Sequence, residues 1–98
     1  MPPSTGDPVR VSFRVRGEVQ GVGFRRFAAR EAQALGLAGW VRNALDGSVS
    51  GEAEGTAAAL ANFRVRLAEG PPFGRVEELD WEALDVGSSL PHPFEIRR

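Results

Sequence analysis

Val9-Arg10-Val11-Ser12-Phe13-Arg14-Val15-Arg16-Gly17-Glu18-Val19-Gln20-Gly21-Val22-Gly23-Phe24-Arg25 is the run around which the rest of the chain can be organised. Val9, Val11, Phe13 and Val15 alternate with Arg10, Ser12, Arg14 and Arg16. A period of two predicts a strand with one covered face and one wet face. Gly17, Gly21 and Gly23 within seven residues predict a loop. From Phe24 to Leu35 the composition turns helical, and Gly36 supplies the stop. Phe24, Phe27, Ala28 and Leu35 form the expected apolar stripe. Glu31 interrupts it, so it should pair with an arginine or lie at the stripe's edge.

Downstream, Ala38 to Ala44 reads as a second strand whose two faces are hard to tell apart. Asp46-Gly47 is a hairpin signal, because both positions tolerate positive φ. A third strand follows at Ser48 to Glu54. Thr56 is a plausible N-cap for a helix over Ala57 to Glu69, with Leu60, Phe63 and Leu67 on one face and Gly70-Pro71-Pro72 as terminator. A fourth strand is expected at Val76 to Ala83 and a short fifth at Phe94 to Arg97.

The order β-α-β-β-α-β plus a C-terminal strand, with only two helices, predicts an α+β ferredoxin-like sandwich. Both helices should pack on one face of a mainly antiparallel sheet. With the first strand central, Arg10, Arg14 and Arg16 would lie beside strands carrying Glu52, Glu54, Glu78, Asp80 and Glu82, so these arginines read as structural. Residues 1–8 read as a loose N-terminal tail and 9–98 as a single domain, since a second core would need about a hundred residues more.

Composition closes off much chemistry. The 98 residues include no cysteine, which excludes disulfides, thiolate metal sites and a cysteine nucleophile. All 12 basic residues are arginine, so a Schiff-base or P-loop lysine is impossible. His92, between Pro91 and Pro93, reads as an exposed loop residue. A formal net charge of −1 gives no electrostatic footprint for nucleic acid or an anionic membrane. The first residues have neither a basic nor an apolar segment of the kind a signal peptide needs, and no apolar run approaches membrane-spanning length. A soluble, cytoplasmic, monomeric protein is the expectation.

Chemistry concentrates at Gly17 to Arg25. A glycine-rich turn entering a helix can aim several backbone N–H groups at one point, where the helix dipole adds about half a positive charge. Arg25 stands at the start of that helix, and its planar fork suits a tetrahedral dianion. Such turns also serve backbone geometry alone. The loop is neither a Walker A sequence nor a dinucleotide fingerprint. Asn43 is the second candidate, because asparagine is depleted in strands. It either opens the turn at Asp46-Gly47 or holds a water through its amide.

Gly17-x-Val19-Gln20-Gly21-Val22-Gly23-Phe24-Arg25, followed by Gly39-Trp40-Val41-Arg42-Asn43, resembles the paired signature of the acylphosphatase family. The asparagine lies 18 residues after the arginine, as in the family pattern. Asp46-Gly47-Ser48-Val49, Glu54-Gly55 and Phe94-x-Ile96 extend the resemblance over residues 9–97. It implies hydrolysis of the carboxyl–phosphate anhydride of small acyl phosphates. By residue, it implies that Arg25 and the loop amides of Gln20, Gly21, Val22, Gly23 and Phe24 bind the phosphoryl group, while Asn43 positions water. No metal or cofactor is implied, and a small acyl phosphate is the only partner. Trp40 and Phe24 read as packing residues, and Arg26 and Arg42 as charges neighbouring the site.

Two other readings compete. A non-enzymatic ferredoxin-like module binding an anion or RNA would need exposed aromatics and a basic sheet face, whereas the outward residues of the first strand include no aromatic. Acylphosphatase-like domains that open hydrogenase-maturation carbamoyltransferases act on carbamoyl phosphate, but those chains are far longer. A free-standing enzyme is therefore expected.

Overall fold

The computed structural model describes residues 7–98, so the expected tail lies outside the described residues except for Asp7 and Pro8, which precede the first strand without regular structure. The elements run β1 (Val9–Glu18), α1 (Phe24–Ala34), β2 (Ala38–Asn43), β3 (Val49–Gly55), α2 (Ala57–Glu69), β4 (Arg75–Leu84) and β5 (Glu95–Arg97). The sheet order is β4-β1-β3-β2-β5. β1 is antiparallel to both β3 and β4, and β2 is antiparallel to β3. β5 joins the edge parallel to β2, making the sheet mixed. This is the ferredoxin-like α+β sandwich expected from the element order.

Alternation in β1 decides which face is covered. Val11, Phe13 and Val15 are buried with Val41, Val49 and Ala53 of the neighbouring strands. Against them lie Leu60, Phe63 and Leu67 of α2 and Phe24, Ala28, Ala29 and Ala32 of α1. Phe63 is the hub, with its ring 5.6 Å from Phe13 and 5.9 Å from Phe94, both edge-on. Edge-to-face pairs of this kind add about 0.5–1.5 kcal/mol beyond area burial.

The α1 stripe is rotated from the sequence expectation. Phe27 and Leu35 are half-buried, and Ala29 and Ala32 take the inner positions. Phe27 lies at the margin, its ring centre 5.8 Å from that of Phe24. Glu31 pairs with Arg66 of α2 at 2.6 Å, so the interruption in the stripe ties the two helices together. The α2 N-terminus is capped as expected, Thr56 Oγ1 accepting from Ala59 N at 3.1 Å.

On the open face, Arg10 is buried and pairs with Glu54 at 2.9 Å. Arg14 and Arg16 instead converge on Asp46 in the β2–β3 turn, at 3.0 and 3.3 Å, with Arg16 also 3.6 Å from Asp80. Trp40 corrects the sequence reading. Gly39 and Val41 take the inward positions of β2, which sends Trp40 to the open face. There its ring centre lies 4.9 Å from the Arg97 guanidinium and 5.3 Å from that of Arg42. Phe24 is buried, as expected.

Candidate active site

After β1 the chain turns through Gln20–Gly23 before entering α1. Gly21 (φ 77°) and Gly23 (φ 80°) are left-handed, a conformation that glycine adopts without the steric cost of a side chain. Gly23 is the N-cap of α1 and, having no side chain, offers the first turn no capping acceptor. The first turn also carries no acidic residue. The contrast with Thr56-capped α2 is chemical: the leading N–H groups of α1 are left for another acceptor, and the dipole favours an anion.

Arg25 and Asn43 line one cleft of ≈ 720 Å³ with Gly21, Gly23 and Phe24. Arg25 is half-buried, and its Nη1 donates to the carbonyl oxygen of Arg97 at 3.2 Å. Asn43 is the last residue of β2, paired in register with Val49 on the helix side of the sheet. The structure therefore brings together two residues that are 18 apart in sequence and on different elements. Gln20 and Val22 do not line the cleft. Val22 packs against the core, and the Gln20 side chain turns to the β2–β3 turn.

The charge around the cleft is one-sided. Arg26 and Arg98 line it beside Arg25, and among the described residues no carboxylate side chain does. Arg42, expected nearby, lies on the opposite face against Trp40. Ile96, quoted from the sequence only as part of the closing motif, and Arg98 were not expected at the cleft, because a three-residue strand gives no hint of which neighbour it joins. A larger hollow of ≈ 860 Å³ occupies the open face, where Glu52, Asp80 and Glu82 sit among Arg14, Arg16, Arg42 and Arg64. Those three carboxylates offset most of the arginine charge, so the open face is the poorer place for a dianion.

The turn beside Asn43 is stiffened by charge. Asp46 accepts from Ser48 Oγ at 2.6 Å and from Ser48 N at 3.0 Å. These hydrogen bonds, with Arg14 and Arg16 adding to them, hold its carboxyl pKa down at about 2.

A scan against family models matches the acylphosphatase model over residues 11–96. The chain belongs to the acylphosphatase family. An acylphosphatase from Salinibacter ruber is 47% identical over 94 residues, covering 96% of this chain and 98% of that one. The crystal structure of an acylphosphatase from Bacillus subtilis superposes with a TM-score of 0.87 at 37% identity, covering 92% of this chain and 99% of that one. A carbamoyltransferase, HypF2 of Cupriavidus necator, is 58% identical over 76 residues, which cover 76% of this chain but 9% of that protein. Family and neighbours together support acylphosphatase function, a hydrolase activity, over the non-enzymatic readings. Among the described residues, no helix is long and apolar enough to cross a membrane.

Proposed function

We propose that the cleft between the 20–24 loop and Asn43 holds the phosphoryl group of a small acyl phosphate and hydrolyses its carboxyl–phosphate bond. The observation that carries this reading is the convergence of Arg25, Asn43 and an uncapped helix N-terminus on one cleft that, among the described residues, no Asp or Glu side chain lines. The phosphoryl oxygens accept from the backbone N–H groups of Gln20 to Phe24 and from the Arg25 guanidinium, which stabilises charge as it spreads over them. The Asn43 amide oxygen accepts a hydrogen bond from the attacking water and directs its lone pair at phosphorus. As the new P–O bond forms, the bond to the acyl oxygen breaks, and its electron pair leaves with the carboxylate. Both protons of the water end on the product, which is released as dihydrogen phosphate beside the carboxylate. Because a carboxylate leaves readily, positioning and charge stabilisation suffice without a strong general base.

The test is hydrolysis of benzoyl phosphate followed by ultraviolet absorbance in EDTA, with p-nitrophenyl phosphate as the monoester control. Fast hydrolysis by the wild type, lost in Arg25→Ala and Asn43→Ala and absent with the monoester, is the expected result. A folded wild type no faster than the spontaneous reaction overturns the proposal. The carbamoyltransferase relative motivates a second reading, in which carbamoyl phosphate is the preferred substrate. A kcat/KM for carbamoyl phosphate well above those for acetyl and benzoyl phosphates would favour it.

A further inference from the structure

The cleft is assembled from two separately anchored halves: the loop leading into α1, and the end of β2 that carries Asn43. The β1–β3 ladder ends at Val15–Val49, and beyond it β1 pairs only with β4. The Gln20 side chain spans the gap that follows. Its Nε2 donates to the carbonyl oxygens of Ala44 at 2.8 Å and Ser48 at 2.9 Å, which uses both hydrogens of the amide. Those carbonyls belong to the turn immediately after Asn43, which Ala44 N closes by donating to Ser48 O at 2.8 Å. Asp46 and Ser48 lock the same turn from its far side.

We propose that the Gln20 side chain is a positioning residue, holding Asn43 at its working distance from the loop amides and acting on catalysis only through Asn43. This rests on the roles proposed above for the loop and for Asn43, and it adds a side-chain task to the phosphoryl-binding task proposed there for the Gln20 backbone N–H. The side-chain requirement is narrow. Methionine matches the length but donates nothing, glutamate sets a carboxylate against two carbonyl oxygens, and asparagine falls one methylene short. Misplacing a reacting group by about 1 Å can cost on the order of 10²-fold in rate.

The experiment compares Gln20→Met in the wild-type and Asn43→Ala backgrounds, reading kcat with benzoyl phosphate and inhibition by inorganic phosphate. The expected result is a kcat lowered by about 10- to 100-fold with phosphate inhibition changed by less than about threefold. In the Asn43→Ala background the same change should cost less than about twofold, since two residues acting as a unit are not additive. Multiplicative losses in the double variant, or an equal loss of phosphate inhibition, would mean that Gln20 merely supports the loop and would overturn the inference. An inactive but folded wild type sinks the proposed reaction itself, so the two failures are separable. Thermal melts report folding, and Gln20→Asn tests the same separation should the methionine variant fold poorly.

Discussion

The Arg25 guanidinium donates from Nη1 to the carbonyl oxygen of Arg97, 72 positions away, at 3.2 Å. One arm of the fork is thus held by β5 at the far edge of the sheet. Other guanidinium N–H groups remain for an anion in the cleft. A lysine ammonium is a point charge on a flexible stem and cannot hold both partners in one plane. Arg25→Lys should therefore lower kcat/KM by about 10²-fold or more and weaken phosphate inhibition, although the charge is kept. Steady-state kinetics with benzoyl phosphate would show this, and a loss under threefold would mean that charge alone suffices.

Thr56 caps a helix remote from the cleft, so its loss should be felt in stability alone. Thr56→Ala is expected to cost about 1 kcal/mol. For a domain of this size that lowers Tm by about 4–8 °C. KM for benzoyl phosphate should stay unchanged, and calorimetry with kinetics on the same preparation checks both halves.

Gly39 has φ 148°, and a Cβ built there would meet the Phe94 ring at 2.7 Å. Gly39→Ala combines backbone strain with a clash against a buried aromatic. A loss of about 2–5 kcal/mol is expected. Urea denaturation would measure it, and a midpoint within error of wild type would contradict the tight Phe94 contact.

The Asp46 carboxyl is held at about 2, against 3.8 when unperturbed. A folded-state pKa below the unfolded one means that its stabilising contribution is present above about pH 4. It is lost as pH falls through about 2, where the folded protein binds the proton. Asp46→Asn should therefore lower the urea midpoint relative to wild type at pH 6, and the gap should close towards pH 2. A gap that stays constant with pH would show that the carboxylate charge contributes nothing.

Much of this architecture was legible because it is local. The Val9–Arg16 alternation, the Thr56 cap and the Asp46-Gly47 turn each depend on side-chain chemistry within a few residues, so periodicity and turn propensity reveal them. Arg25 and Asn43 were legible for a different reason: their motifs resemble those of a family, and spacing alone would not have paired them. Leu35 does pack against the core, from a half-buried position, whereas Phe27 sits nearer the margin than its spacing predicts, because helical periodicity predicts a stripe but not how the helix is rotated against the sheet.

The order of elements, the covered face of β1 and the glycine loop at the head of α1 were determined by the sequence itself. Backbone conformation and hydrophobic periodicity are set residue by residue. Only the tertiary structure decided that β5 lies parallel beside β2, bringing the Arg97 carbonyl to Arg25 and Ile96 to the cleft. It likewise decided that Trp40 faces away from the core between two arginines, and that the Gln20 amide meets Ala44 and Ser48. Each of these contacts joins segments far apart in the chain. Their partners are chosen by strand order and register, which arise from packing the whole core at once.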